Sequence, residues 1–355
     1  MYHVRSPGKA NLIGGHTDYS GGFALSMATD LATTLEAEPA AKVTITSEAM
    51  GETRAFGIDD PEPAGDWTDY VRGCYAILSE AGYDPDGFEG TIGGDLPLGK
   101  GLGSSASLEL AVLAFLGAAY DLELSREDIA RLGRRVETEF LGVDHEFPAH
   151  HPIALSKADE ALFLDLGSET YSTVSIPTDL RFLVVHSGIH RELADSPFAD
   201  RRETVRAALA ELGAAASPEV DLAALSRLDG ERAERLGYVV RENARVRQAA
   251  TALDDDDVES FGEVLVEAHE DLAEHFDATT PELDWIVETA VENDAYGARM
   301  IGPGWGGAAI IAVDGTNTGT VADTITREYP DAFPDWELST YAVDPADGVT
   351  VDIFE

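Results

Sequence analysis

Residues 96–108, LPLGKGLGSSASL, run directly into the apolar stretch 110–116, LAVLAFL. A run of small residues that opens into a helix leaves the first backbone N–H groups of that helix without partners and turns the positive end of its dipole outward. The segment therefore demands a turn feeding a helix, and the natural guest of that helix end is a phosphate. Its spacing is not the Gly-x4-Gly-Lys-Ser/Thr of the Walker loop, so a P-loop NTPase fold is not implied. Taken alone, a Gly/Ser run before a helix is more often a plain loop and helix cap.

Two further stretches bear on that choice: 6–23, SPGKANLIGGHTDYSGGF, and 298–311, ARMIGPGWGGAAII. With 96–108 they occur in the order and spacing of the three motifs of the GHMP small-molecule kinases, and the chain most resembles galactokinases. The resemblance extends through Glu137–Val143 (ETEFLGV), Ala161–Asp165 (ALFLD), Glu242–Arg245 (ENAR) and Pro281–Asp284 (PELD), and so covers nearly the whole chain. It implies an α+β GHMP kinase fold, with an N-terminal ribosomal-protein-S5-like α/β domain and a C-terminal ferredoxin-like α+β domain.

A chain of 355 residues has room for two domains with substantial cores, and 44% hydrophobic residues is ordinary for a folded protein. The charge is not ordinary: 67 acidic against 24 basic residues give a formal −43, with Asp254–Asp257 the only tight acidic run. This reads as a solvated acidic surface adapted to high salt, because self-repulsion on that scale is relieved when salt shortens the Debye length. Full stability in salt-free buffer would refute the halophilic reading. The same charge argues against nucleic-acid partners and anionic membranes. Cys74 is the sole cysteine, which excludes an internal disulfide and a thiol cluster for zinc. No apolar run reaches the length of a membrane span, and the expected location is the cytoplasm.

Hydrophobic periodicity predicts strands at 42–46 and 88–92 and helices at 67–78 and 126–140, the last capped by Ser125. A polar stretch at 168–180 precedes an apolar strand at 180–186, so the expected domains are 1–175, carrying the phosphate loop, and 176–355. In the second half, helices are expected at 201–215, 230–252, 258–275 and 281–293, and a strand at 307–313.

Phosphoryl transfer requires held phosphates, a bridging Mg²⁺ and an acceptor oxygen in line. For ATP, the backbone of Gly99, Lys100, Gly101, Leu102, Gly103, Ser104, Ser105 and Ala106 is the expected cradle, with Lys100 adding charge. The resemblance implies that Ser105 and Glu137 complete the Mg²⁺ shell, hard oxygen ligands suited to that ion. Outside the family context they would read as a helix cap and a solvated helix face. Gly302, Gly304, Gly306 and Gly307 permit positive φ and close backbone approach. A glycine hairpin would look the same; the resemblance places this motif beside the phosphate loop and the acceptor and so gives Gly304 and Gly306 a substrate-binding role.

The departures from the galactokinase pattern concern the acceptor. Lys9 stands where galactokinases carry Arg, and Gly15 where they carry the sugar-binding Glu. Aligned without gaps, 144–151 (DHEFPAHH) puts Ala149 at the usual catalytic Asp, and Phe198 replaces a sugar-contacting Tyr. Loss of two carboxylates with gain of His150 and His151 makes this end less negative, which suits an acceptor that already carries a phosphate. The expected acceptor is therefore a sugar phosphate. Ribose 1-phosphate, phosphorylated at its 5-hydroxyl, is implied by resemblance to such kinases among galactokinase-like chains of halophilic archaea. Lys9 and Asp18 are the candidate catalytic residues, and His16, Asp18, His150, His151 and Arg191 the candidate substrate ligands, with Arg201 and Arg202 as further phosphate contacts. The alternatives are a galactokinase or other free-sugar kinase, and a non-catalytic galactokinase-like regulator, which retention of Ser105 and Glu137 disfavours.

Overall fold

A computed structural model of the chain describes residues 1–59, 61–143, 149–190 and 196–354. Two compact units emerge, neither continuous in sequence: 1–9, 28–158 and 345–355 form the first, and 10–27 with 159–344 the second. This replaces the single boundary near 175. The reason lies in β1 (Tyr2–Ile13) and β2 (Phe23–Ala40), long strands that each begin in one unit and end in the other. Sequence alternation does not reveal them, because both faces are buried over much of their length (iiBiBBBiBBBB along β1) and the period-2 signal vanishes.

In the first unit, the sheet order is β12-β1-β2-β5-β3-β4. Strand β3 (Val43–Ser47) lies parallel to β5 (Gly87–Gly94) and antiparallel to β4 (Glu52–Phe56), and β12 (Thr350–Ile353) closes on the start of β1, Tyr2 opposite Ile353. Helices α1 (Asp69–Glu80), α2 (Ser104–Ala119), α3 (Arg126–Arg135) and α4 (His150–Leu155) cover it, over a core that includes Val4, Leu35, Phe88, Val71, Leu110, Phe115 and Ile153. Every residue from Leu110 to Leu116 is buried, so α2 is enclosed on all sides, and each large apolar side chain there contributes about 1.5–3 kcal/mol.

Ser125 caps α3 in a reciprocal box with Asp128. The expected helix to 140 changes character at Val136, where one π-helical turn (Val136–Phe140) begins and Leu141 N–H reaches the Val136 carbonyl. Gly73 on α1 admits this wider turn: a Cβ there would sit 2.6 Å from Val136 Cγ1 and 2.9 Å from Phe140 Cδ1.

The second unit carries an antiparallel sheet of order β11-β8-β10-β9, built from β8 (Leu180–His186), β9 (Gly297–Ile301), β10 (Ala308–Asp314) and β11 (Ser339–Val343). Its helices are α5 (Phe198–Leu212), α6 (Gly230–Asp254), α7 (Val258–Asp271), α8 (Pro281–Glu292) and α9 (Thr318–Ala332). The polar stretch near 168–180 is not merely a connection. It contains β7 (Thr170–Ser175), which pairs with β6 (Glu160–Asp165), and β6 in turn pairs with the start of β2. Strand β7 is exposed at five of its six residues, which removes the alternation that would have announced it. No helix among the described residues is long and apolar enough to cross a membrane.

Candidate active site

The glycine-rich loop of the first unit meets the geometric demands of an anion cradle. Gly99, Gly101 and Gly103 all have positive φ (69°, 82° and 74°), and α2 starts immediately afterwards with no side chain capping its first turn. The first N–H groups of a 16-residue helix are thus left to a ligand. Leu102 is buried and its carbonyl accepts the Lys9 N–H at 2.8 Å, pinning the loop to β1, while Ser107 Oγ donates to the Ser6 carbonyl at 2.7 Å. A Cβ at 103 would come 3.1 Å from Lys9 Cγ, so the Lys9 stem runs along the loop. Among the residues expected to hold ATP, Leu102 and Ala106 are buried anchors and Gly101 is exposed, with Lys100 half-buried.

Ser105, on the first turn of α2, donates its Oγ hydrogen to Glu137 Oε1 at 3.0 Å. The π-helical turn that carries Glu137 leaves the side chain nearly buried. Behind the pair stands a contact that sequence reasoning missed: His150 Nε2 lies 2.8 Å from Glu109 Oε2 and 4.0 Å from Glu137 Oε2. Burial, and then the neighbouring Glu137, push the Glu109 carboxyl well above the usual carboxylate range. The available signal was a single acid in α2, immediately before the apolar run 110–116.

This placement corrects the reading of His150 as a substrate ligand. Its side chain is 1% exposed, packed against Gly133 and engaged by Glu109, so it serves the interior of the first unit. His151 is half-buried on the same short helix. Arg191 lies outside the described residues.

In the second unit, the N-terminal motif forms a tight turn held by side chains. His16 adopts φ 63°, its Nδ1 3.2 Å from Tyr19 Oη and its Nε2 3.0 Å from the Pro303 carbonyl. Burial lowers its pKa to about 4, so the ring is neutral: Nε2–H donates to Pro303, and Nδ1 accepts from Tyr19. Both nitrogens are occupied, and the ring is packed by Phe198, Phe276 and Trp305, with centroids 5.6, 4.5 and 6.1 Å away. His16 therefore ties residues 14–20 to the third glycine motif and has no ring nitrogen left for a sugar hydroxyl, contrary to its expected role. Asp18 is half-buried in the 3₁₀ turn Asp18–Ser20.

The turn rests on Glu242 of α6. The N–H groups of Gly14 and Gly15 donate to Glu242 Oε1 at 3.0 and 3.1 Å, Arg299 Nη1 donates to the same oxygen, and Arg245 Nε donates to Oε2 at 3.0 Å. These two arginines hold the fully buried Glu242 below the ordinary carboxylate range despite the desolvation that opposes it. A Cβ at residue 15 would lie 2.9 Å from Arg299 Nη2, so the Arg299 guanidinium fills space that a side chain at 15 would claim.

The third motif divides in two. Gly304 (φ 95°) and Gly306 (φ 133°) are close packed, since a Cβ would fall 2.4 Å from the Ala278 carbonyl oxygen or 2.7 Å from Ile189 Cγ2. A Cβ at Gly302 or Gly307 would meet nothing within 4 Å among the described residues. The Gly307 backbone is nevertheless engaged, its N–H donating to the Ile189 carbonyl at 3.0 Å and its carbonyl accepting from the Ser187 N–H at 2.8 Å, and Gly304 and Gly306 shape the turn. Arg201 is committed to Glu231, Asp277 and the Phe276 carbonyl, and Arg202 lies over the Phe198 ring at 5.9 Å.

Family models match three parts of the chain: the galactokinase galactose-binding signature over residues 2–39, the GHMP kinase N-terminal domain over 69–152 and the GHMP kinase C-terminal domain over 249–334. Galactokinase of Thermococcus kodakarensis is 43% identical over 98% of this chain and 99% of its own, and that of Pyrococcus furiosus 41% identical with the same shares. The crystal structure of Lactococcus lactis galactokinase complexed with galactose superposes with a TM-score of 0.91 at 30% identity, covering 98% of this chain and 94% of that one. A mevalonate kinase structure shares the fold, with a TM-score of 0.71 at 20% identity. The chain belongs to the GHMP kinase superfamily, where it is galactokinase-like and a phosphotransferase of the sugar-kinase type.

Proposed function

We propose that the chain transfers the γ-phosphoryl group of ATP to a hydroxyl of a free sugar, with galactose the first acceptor to test. The observation that carries this is the uncapped start of α2, with Ser105 and Glu137 paired on it, in a chain whose residues 2–39 match a galactose-binding signature. It reverses the order of the expectations drawn from sequence, where the free-sugar kinase stood second, because galactokinases matched over 99% of their own length are among the relatives.

Ser105 and Glu137 offer hard oxygen donors at a helix end that attracts anions, a set that fits Mg²⁺ and would hold it. That ion, when bound, neutralises charge on the phosphates. In this reading the backbone of 99–106 binds and orients the phosphates, Lys9 supports the transferring group with its ammonium, and Asp18 is the candidate carboxylate for the acceptor hydroxyl. With Ala149 in place of a carboxylate, proton loss to the transferred phosphoryl group or to water is also compatible with a loose transition state, which needs little early base help.

Ribose 1-phosphate remains a second reading on one specific ground. Ala149 carries no charge and Gly15 no side chain, and the space beside Gly15 is occupied by a buried arginine. The test is ADP release by purified protein with ATP and Mg²⁺ against galactose, ribose and ribose 1-phosphate in parallel. Turnover of galactose supports the proposal, and turnover of ribose 1-phosphate alone replaces it with the second reading.

A further inference from the structure

Among the described residues, one group of three metal-ligating side chains converges: Glu109, Glu137 and His150, whose ligand atoms all lie within 4.8 Å of one another. They come from α2, the π-helical turn and α4, three separate elements brought to one point. Glu137 has two faces in this arrangement. Its Oε1 accepts the Ser105 hydroxyl on the side of the phosphate loop, and its Oε2 faces His150 and Glu109 on the interior side.

The second, independent observation is Glu109 Oε1. The Glu109 side chain is fully buried; Oε2 meets His150, and among the described residues no hydrogen-bond partner reaches Oε1. A buried carboxylate oxygen without a donor is costly, and a second carboxylate beside it raises that cost. A proton on the Glu109–His150 pair relieves part of it. A cation held by the two carboxylates and the imidazole relieves more, and it gives Oε1 a partner. Oxygen donors alone would suit Mg²⁺ or Ca²⁺, but an imidazole among them shifts preference toward first-row divalent ions such as Mn²⁺ or Zn²⁺.

We propose that Glu109, Glu137 and His150 form a second cation site, selective for a divalent transition-metal ion, on the interior side of Glu137. Glu137 then bridges two cations through its two oxygens. The inference depends on the kinase reading only in assigning Glu137 Oε1 to the phosphate-side Mg²⁺; the interior site is defined by its own three side chains.

The test uses Mn²⁺ as the probe on the intact chain, in the absence of nucleotide and sugar and with excess Mg²⁺ present. Electron paramagnetic resonance should count one tightly held Mn²⁺ per chain, and pulsed measurements should show coupling to a single ¹⁴N, the His150 imidazole. His150→Gln should weaken Mn²⁺ binding by about tenfold or more and abolish the nitrogen coupling. ADP release in Mg²⁺ is measured separately, so failure of the kinase reading is seen independently. No bound Mn²⁺, or Mn²⁺ held only when ATP is added, or bound Mn²⁺ lacking the nitrogen coupling in the wild-type chain, overturns the proposal and leaves the cluster as a protonated acid–imidazole pair. Because these readouts come from the wild-type protein, they decide the matter even if the variant fails to fold.

Discussion

The phosphate-loop region of the first unit and the N-terminal turn of the second are built by different means. The loop at 99–106 works with backbone: glycines at positive φ, an uncapped helix start, and one side-chain pair, Ser105 with Glu137. The turn at 14–20 works with buried side chains: Glu242 collects two backbone N–H groups and two arginines, and a neutral His16 bridges Tyr19 and Pro303. On the proposed reading, an amide cradle suffices for the phosphates of ATP, whereas a turn that met the acceptor would have to be fixed in shape to choose among sugars. Substitutions should therefore affect chemistry in the first region and stability or acceptor choice in the second.

The sharpest attempt to break this contrast is Glu137→Gln. We expect kcat to fall on the order of 10³-fold, the several kcal/mol that a properly held metal supplies to the transition state, with the melting temperature close to wild type. A comparable loss of stability instead would move Glu137 into the structural class. In the other region, Glu242→Gln leaves Arg299 and Arg245 with a weakened partner in the interior. Breaking such a buried pair costs about 3–5 kcal/mol, to be read from the denaturation midpoint.

The acid response should follow the second region as well. His16 is neutral when folded, with its pKa lowered to about 4 from 6.5. The unfolded chain binds this proton first, so the His16 contribution is complete above pH 6.5 and is lost as pH falls through 4, on the order of 3 kcal/mol in total. His16→Asn should flatten the stability profile between those pH values, and an unchanged slope would deny that the ring is buried neutral. A smaller effect is expected for Gly15→Ala. The added Cβ meets Arg299 Nη2 at 2.9 Å and should cost about 1–3 kcal/mol with little change in kcat. If Gly15→Ala instead alters KM for the sugar without loss of stability, position 15 contacts the acceptor directly.

How far the sequence discloses this molecule depends on how local each feature is. The glycine loop, the buried helix after it and the Ser125 cap are written in contiguous residues, and all three stand where sequence reading puts them. The Glu242 network joins residues 228 and 57 positions apart, and the Glu109–His150 contact spans 41, so neither leaves a periodic trace. Each nonetheless shows a charged residue inside an apolar element: Glu109 in α2 and Arg299 in the fully buried strand β9. Such residues need partners from elsewhere in the fold. His16 and His150 read as substrate ligands because histidines in motifs so often are; in the structure both are buried, His16 with its two ring nitrogens on Tyr19 and Pro303 and His150 with Nε2 on Glu109.

The most direct test of the central claim is identification of the product by ³¹P NMR after incubating the purified protein with ATP, Mg²⁺ and galactose, with salt raised to screen a chain of charge −43. A sugar monophosphate resonance is expected to grow in step with ADP. ATP that is left intact with galactose but consumed with ribose 1-phosphate, giving a bisphosphate, would contradict the free-sugar reading, and ATP intact with every sugar and sugar phosphate would contradict the assignment as a kinase.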